Sequence, residues 1–360
     1  MKSFKERVIN FWDLFTALDE YLRKLCDNMP EKRYELYYVS ELIINNCFPR
    51  CSYTLEKGDN DRYRLILSPR CNPLIILYLR YWVALAPKQL YEHWDFLIGD
   101  QKTNDLDFKM KVDGYEFGFH DLYIHPDIKQ DHIDIKVYAE NFKYLSELMQ
   151  IHVSYQLLVA CLGEIDIMYL LKRCEMSEEK LDGSFPLDQF PAYIKDVIKK
   201  RRWINVHDPF RVYKSYLMKP RTRETCLRDD LYYGITTQKK LLDEAFVFED
   251  FQIRRAKDCG VFVGFIFYEH TKIRCRDDLI EQLEEKITNI CEKIKIAENI
   301  GHACGVYYSY IDYVIYDWES FVGVMTEFLS DVDTSVYGFH FFASHESPFY
   351  IVNNESGTLN

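Results

Sequence analysis

The 360-residue chain lacks the short sequence signatures by which many enzymes are recognised. It contains no Gly-x-Gly-x-x-Gly or phosphate-loop pattern, and its 14 glycines are scattered, which argues against a nucleotide-binding loop. It also has no Gly-x-Ser-x-Gly nucleophile elbow and no recognisable surroundings for a catalytic cysteine. We therefore predict that the protein is not an enzyme, has no catalytic residues and uses no cofactor.

The cysteines and histidines do not follow the spacing of a disulfide framework or a metal site. The eleven cysteines are odd in number and lie mostly in apolar runs, whereas disulfide frameworks are dense and even-numbered. Structural zinc sites need two tight ligand pairs, and neither Cys47 with Cys51 nor His340 with His345 has that spacing. We predict reduced thiols and no bound metal.

Long hydrophobic runs are missing as well. No stretch reaches 18 uncharged apolar residues, and the longest candidate, Pro73 to Leu79, stops at Arg80. The first residues are charged and lead into an amphipathic helix without the apolar segment of a signal peptide. These features predict a cytoplasmic protein that does not bind membranes.

Aromatic residues and acidic charge are abundant instead. The chain has 28 Tyr and 24 Phe, and its 57 acidic and 45 basic residues give a net charge of −12. One stretch reverses this balance, because Lys199 to Arg228 holds ten Lys or Arg against two acids. Its charge of +8 leaves −20 on the rest of the chain. This stretch has two possible roles: it binds phosphates or a membrane surface, or it clamps the two acidic domains together through salt bridges. The acidic charge on both sides favours the clamp.

The chain length favours two α+β domains over one. We predict a first domain over residues 1–200, in which helices pack on one face of an antiparallel sheet. A basic connector over 201–227 leads to a second domain over 228–350, and 351–360 form a flexible tail. The periodicity of the second domain predicts the order β-α-β-α-β-β-α-β, which is that of a ferredoxin-like plait with an extra strand and helix.

Hydrophobic periodicity also predicts individual elements that the structure tests. Apolar residues recur every three or four positions over 3–27 and again over 32–46, which predicts two N-terminal helices. Shorter apolar runs predict a strand from Ile165 to Leu171 and two adjacent strands, Gly305 to Tyr310 and Tyr313 to Tyr316.

Three histidines form the best candidate for a hydrolytic or metal-assisted site. His120, His125 and His132 lie within thirteen residues, and strand alternation could place some of them on one sheet face. The alternative, which we favour, is a polar hairpin that faces solvent, with a turn near Pro126. The acidic residues beside the histidines are Asp121, Asp127, Asp131 and Asp134.

The aromatic run from Tyr307 to Trp318 is the strongest candidate for a binding surface. Sheets that bind RNA expose aromatics among basic residues, but the neighbours here include Asp312, Asp317 and Glu319, which would repel a polyanion. We therefore predict no nucleic-acid binding and interpret the run as sheet core or as a protein interface. The candidate partner-binding residues are Tyr307, Tyr308, Tyr310, Asp312, Asp317 and Trp318.

Two groups of motifs resemble known protein families. The segments Phe11-Trp12-Asp-Leu-Phe15, Tyr63-Arg-Leu-Ile-Leu67-Ser68 and Trp94-Asp-Phe-Leu, with Ala86-Pro87, resemble a bacterial domain of unknown function found in Bacteroidetes and Firmicutes. The second domain resembles the companion module of that bacterial domain, and this module is in turn similar to the plait of the small acidic proteins that bind and inhibit ribonuclease E. Its matching residues are Leu227-Arg228-x-Asp230, Gly234-Ile-Thr236, Gly260-Val-Phe-Val-Gly264-Phe, Tyr307-Tyr-x-Tyr310-Ile-Asp312 and Asp317-Trp318.

These resemblances imply a binding protein, since proteins of this kind are also encountered as immunity proteins beside secreted toxins. Our leading hypothesis is a non-enzymatic protein that neutralises a basic partner protein, such as a cognate nuclease-like toxin. The alternative is a regulator that docks on an RNA-processing enzyme, and the third hypothesis is a hydrolase that uses the histidines. The sequence leaves the oligomeric state open.

Overall fold

The computed structural model of the chain is mixed α+β with several sheets, in agreement with the predicted class. It describes residues 2–48, 51–58, 61–70, 72–203, 213–220, 227–239, 241–242, 256, 259–269, 276–329, 337–342 and 349–352.

Two helices open the fold, α1 (Phe4–Asp27) and α2 (Arg33–Asn45), and both match the predicted helices. A capping box starts α1, because the Ser3 hydroxyl accepts the N–H of Glu6 and the Glu6 carboxylate accepts the N–H of Ser3. The spacing of the apolar residues places one face of α1 in the core. The buried residues on that face are Phe4, Val8, Phe11, Trp12, Phe15, Leu22, Leu25 and Cys26.

A three-stranded sheet follows, with the order β1-β2-β3. Its strands are β1 (Ser52–Lys57), β2 (Tyr63–Ser68) and β3 (Trp94–Ile98). The first pair is an antiparallel hairpin as predicted, but β2 and β3 are parallel, so the prediction of a purely antiparallel sheet is wrong. The reason is that α3 (Pro73–Ala84) lies between them and brings the chain back in the same direction.

The middle of the chain builds a two-stranded and a four-stranded sheet covered by helices. Strands β4 (Lys109–Val112) and β5 (Tyr115–Gly118) form the first sheet. The second has the order β8-β7-β6-β9 and includes a further parallel pair, β7 with β8. Its strands are β6 (Tyr123–Ile128), β7 (Ile133–Tyr138), β8 (Leu171–Met176) and β9 (Phe185–Pro186), and the helices are α4 (Glu147–Leu162), α5 (Glu164–Leu170) and α6 (Phe190–Arg201).

The strand predicted from Ile165 to Leu171 is wrong, because these residues form α5 and the strand begins only at Leu171. Short apolar runs do not distinguish a buried helix from a strand. The first residue of α5, Glu164, is fully buried. Its carboxylate accepts the Ser68 hydroxyl at 2.8 Å and the Asp100 N–H at 3.0 Å, so it ties this helix to the end of β2.

The C-terminal half contributes a seven-stranded sheet with the order β10-β11-β13-β14-β12-β15-β16, in which all neighbours are antiparallel. The helices α7 (Arg276–Ile294) and α8 (Trp318–Leu329) belong to the same half. The strands are β10 (Lys214–Leu217), β11 (Leu231–Thr236), β12 (Phe262–Glu269), β13 (Ala297–Gly305), β14 (Tyr308–Ile315), β15 (Tyr337–Phe341) and β16 (Phe349–Val352).

The pair of short strands predicted around Tyr310 and Tyr313 is wrong. One continuous strand, β14, runs through both, and it pairs with β13 as a hairpin. The polar residues Ser309 and Asp312 interrupt the apolar pattern in the sequence, yet both are fully buried in β14. The predicted tail begins inside β16, and its residues 353–360 lie outside the described part. The same holds for most of residues 238–257, over which the sequence predicts the first helix of the order β-α-β-α-β-β-α-β.

Apolar side chains cover both faces of the central strands. On one face, Tyr310, Val314 and Tyr316 belong to the same core as α1 and α3, and the ring of Tyr316 stacks on Tyr81 with centroids 3.9 Å apart. On the other face, α7 and α8 pack on a separate core that includes Tyr313. A further core lies within the middle region. The division into domains near residues 200 and 228 stays a prediction.

In the part of the chain that the structure describes, no single helix has both the length and the apolar composition needed to cross a membrane. Among the described helices, α4 and α5 taken together reach that length and composition, and they meet at a bend of 104°. The predicted cytoplasmic location stays a prediction.

Candidate interaction site

A buried ion pair involves Asp312, in the middle of the aromatic run that the sequence singled out. The Arg228 guanidinium donates to both carboxylate oxygens of Asp312, at 2.6 and 3.4 Å, and to the Tyr216 hydroxyl at 2.9 Å. The Arg228 side chain is 6% exposed and Asp312 is fully buried. Arg228, the last cation of the basic stretch, is therefore engaged inside the predicted second domain, and the clamp between two domains stays a prediction.

Aromatic rings surround this guanidinium. Its central carbon lies 5.0 Å from the ring centroid of Phe265, 5.2 Å from that of Tyr310 and 4.9 Å from that of Phe342. Cations gain from such ring faces, most strongly where water is excluded. The rings and the Asp312 carboxylate together compensate the cost of burying the charge of Arg228.

A second buried carboxylate fixes the turn between β13 and β14. Asp230 accepts the N–H groups of Tyr307 and Tyr308 at 2.8 and 3.0 Å and the hydroxyl of Tyr310 at 2.6 Å. Space is tight, since a Cβ atom on Gly305 would lie 2.1 Å from an Asp230 oxygen. Glycine is therefore required at position 305, and the backbone of the turn is held rigidly.

The surroundings shift the titration of these groups. Burial raises the pKa of Asp312, and the Arg228 guanidinium opposes that shift. Burial also raises the pKa of Tyr310, and the neighbouring Asp230 carboxylate raises it further. The Tyr310 phenol therefore stays protonated and keeps its role as a hydrogen-bond donor to Asp230.

The six predicted partner-binding residues do not form one surface. Tyr310 and Asp312 are fully buried, so a partner cannot contact their side chains while the sheet is intact. Tyr307 is exposed, but Asp317 and Trp318 lie at the opposite end of β14. This strand of eight residues separates the two groups by about 26 Å. Their partner-binding role stays a prediction, and for Tyr310 and Asp312 the structure shows a structural role.

Asp317 and Trp318 serve the start of α8. The Asp317 carboxylate accepts the Ser320 N–H at 3.3 Å and the Ser320 hydroxyl at 2.9 Å. The Trp318 ring packs against Phe339 and Phe262, with centroid distances of 4.9 and 5.4 Å. Both residues therefore stabilise the helix and its packing on the sheet.

Exposed apolar side chains gather instead around Tyr307, at one corner of the seven-stranded sheet. Strand register brings them together, because Leu217 pairs with Tyr233 and Leu231 pairs with Gly305. Leu217 is 82% exposed and Tyr307 is 37% exposed. We call this group the rim patch, and its members are Leu217, Met218, Tyr232, Val306 and Tyr307. Of these five residues, only Tyr307 was predicted from the sequence, because the strand register that brings the other four beside it cannot be derived from the sequence.

The three histidines are not brought together. His120 lies 3.3 Å from Asp188, whereas His132 lies 2.7 Å from Asp131. His125 is in β6, opposite Lys136 of β7. Among the described residues, no group of three or more His, Cys, Asp or Glu is placed to hold a metal ion. The hydrolase hypothesis gains no support from this geometry.

Comparison with family models, with curated proteins and with solved structures found no match to this chain. The family resemblance inferred from its motifs therefore stays a prediction.

Proposed function

We propose that this protein is a non-enzymatic binding protein that neutralises a basic partner protein, such as a cognate nuclease-like toxin. The observation that carries the proposal is the rim patch, where exposed apolar side chains stand on a rigid backbone. Hot spots of protein interfaces are commonly aromatic anchors near the centre of the contact. Tyr307 is such an anchor, with Val306 and Leu217 beside it.

The rigidity of the turn is the second step of the argument. Ordering a loop during association costs free energy, so a site that is already ordered binds more tightly. Asp230 holds the backbone at Tyr307 and Tyr308, and the Val306 N–H donates to the Asp230 carbonyl at 2.9 Å. The backbone that carries Val306 and Tyr307 is thereby ordered before a partner binds.

The charge of the chain supports a basic partner. The whole chain carries a net charge of −12, with −20 outside the stretch from Lys199 to Arg228 that contains Leu217 and Met218 of the rim patch. A charge of this size attracts a cationic protein over distance and raises the association rate at low ionic strength.

We also propose the ferredoxin-like plait for the C-terminal half. The elements β12, α7, β13, β14, α8 and β15 follow each other in the order of that motif. Their strands lie side by side as β13-β14-β12-β15, all antiparallel, with β11 added next to β13. This order supports the assignment, and it leaves β10 and β16 as additions at the two edges.

The test is co-expression with any toxin encoded beside the gene of this protein, followed by purification of the complex. We expect protection of the cells, and we expect Tyr307→Ala to weaken binding at least about 10-fold. The matched control is Tyr144→Ala, which removes an exposed tyrosine of the middle region. The proposal fails if no toxin is neutralised and no protein partner is recovered, or if both variants bind equally.

A further inference from the structure

The helix α2 exposes a second aromatic surface, far from the rim patch in sequence. Its inner side is buried through Leu36, Ser40, Ile43 and Ile44. On its outer side, Tyr34 is 90% exposed, Tyr38 is 66% exposed and Leu42 is 56% exposed. A spacing of four places these three side chains in one row along the helix. Large apolar groups in such a row are unusual on a surface that has no partner.

A second row runs beside the first, again with a spacing of four. It consists of Arg33, Tyr37 and Glu41, and all three are exposed. The Arg33 guanidinium carbon lies 5.5 Å from the Tyr37 ring centroid, and Glu41 accepts the Asn45 side-chain amide at 3.2 Å. The row therefore has a cation at one end and an anion at the other, and both charges remain accessible.

Both rows suit a second copy of the same helix in the antiparallel direction. A twofold axis at Tyr38 sets Tyr38 against its own copy and Tyr34 against Leu42. The same axis sets Arg33 near Glu41 of the other copy, with an offset of two residues, or about 3 Å along the helix. An arginine side chain spans this offset. A parallel twofold arrangement would place the two flanking rows on opposite sides of the contact, where Arg33 and Glu41 do not meet, so the charges favour the antiparallel pair.

We propose that the protein forms a symmetric dimer through the outer face of α2, with Tyr34, Tyr38 and Leu42 at its centre and two Arg33–Glu41 pairs at its edges. In an isologous contact each residue is used twice, which doubles the effect of every complementary pair. The nearby Glu35 already pairs with Lys32 at 2.8 Å, so Glu41 is the acid left to meet Arg33.

The test is sedimentation equilibrium of the full chain from about 1 to 200 µM. We expect the mass to rise from the 43.2 kDa of one chain toward twice that value. Tyr38→Glu puts two charges on the axis and should weaken dimerisation at least about 30-fold. Glu41→Arg sets two arginines against each other and should weaken it about 10-fold.

The charge swap distinguishes this geometry from a general loss of apolar contact. The double variant Arg33→Glu with Glu41→Arg restores opposite charges and should dimerise within about threefold of the original chain. Leu148→Glu, at an exposed leucine of α4, is the matched control and should leave dimerisation unchanged. Circular dichroism checks that each variant is folded.

A chain that stays monomeric at the highest concentration overturns the proposal and leaves the α2 face to a different protein. A dimer that survives Tyr38→Glu, or that the charge swap does not restore, places the contact elsewhere. Neither result affects the proposed role of the rim patch, because that role is measured by partner binding.

Discussion

Two tyrosine-rich regions of this molecule have opposite environments. The strand β14 holds Tyr310 and Tyr313, which are fully buried, whereas the outer face of α2 presents Tyr34 and Tyr38 to solvent. The sequence pointed to the first region as a binding surface, but the structure exposes the second. Tyrosine content alone therefore does not identify an interface.

The difference follows from what covers each element. Side chains of a strand point alternately to the two faces of its sheet, and both faces of β14 are packed by other parts of the chain. A helix at the edge of the fold packs on one side only, so α2 buries Leu36 and Ile43 and leaves its other side exposed. The hydroxyl of Tyr310, buried in β14, has a hydrogen-bond partner in Asp230.

The strongest test of the buried region is Asp312→Ala. It leaves the Arg228 charge buried without its carboxylate, and we expect a loss of about 3–5 kcal/mol in the free energy of unfolding. Urea denaturation measures this loss. The double change Arg228→Met with Asp312→Leu removes both charges and should recover most of the loss. A single variant as stable as the original would show that the ion pair contributes little.

A smaller effect is expected for Tyr310→Phe. The Tyr310 hydroxyl donates to Asp230 at 2.6 Å and accepts the Arg228 N–H at 2.9 Å, so its removal leaves two buried groups without this partner. We expect a loss of about 1–3 kcal/mol in the free energy of unfolding. Tyr307→Phe is the control, since that side chain is exposed and its loss should be negligible. Equal stabilities would contradict the role given to the hydroxyl.

The sequence predicted the helices better than the sheets. Regular apolar spacing over many turns defined α1 and α2, and turn residues defined the hairpin of β1 and β2. The parallel pairing of β2 with β3 depends on how α3 returns the chain, which no local pattern encodes. The helix α5 was missed because a run of seven residues is too short to show a period.

The candidate site was predicted even less completely. Arg228 and Asp312 are 84 positions apart in sequence and meet only through the strand order of the large sheet. In the sequence, Asp312 therefore looked like a surface acid inside an aromatic run, although its partner Arg228 belongs to the basic stretch from Lys199 to Arg228. The rim patch likewise depends on the register between β10, β11 and β13.

The inner face of α1 offers a test that depends on pH. Burial by itself raises the pKa of Asp19, but hydrogen bonds from Arg23 and from the Trp94 indole bring it below its usual 3.8. A lowered folded-state pKa stabilises the protein above the unfolded value and loses this effect as pH falls through the folded value. Asp19→Asn should cost about 1–2 kcal/mol at pH 7.

The same comparison at lower pH provides the control. Below pH 3.8 the stability difference between the original chain and Asp19→Asn should shrink, because the carboxylate of the original becomes protonated. Urea denaturation at several pH values measures it. A difference that stays constant from pH 7 to pH 3 would mean that shape, and not charge, makes Asp19 important.

The smallest effect is expected for Tyr38→Ala on the outer face of α2. The Tyr38 side chain is exposed and alanine favours helices, so the free energy of unfolding should change by less than about 0.5 kcal/mol. The free energy of unfolding should be measured at about 1 µM protein, where self-association adds little to stability. A large loss under these conditions would mean that Tyr38 packs within its own chain. An unchanged stability combined with lost dimerisation would separate the two tyrosine regions by function, one that holds the fold together and one that binds.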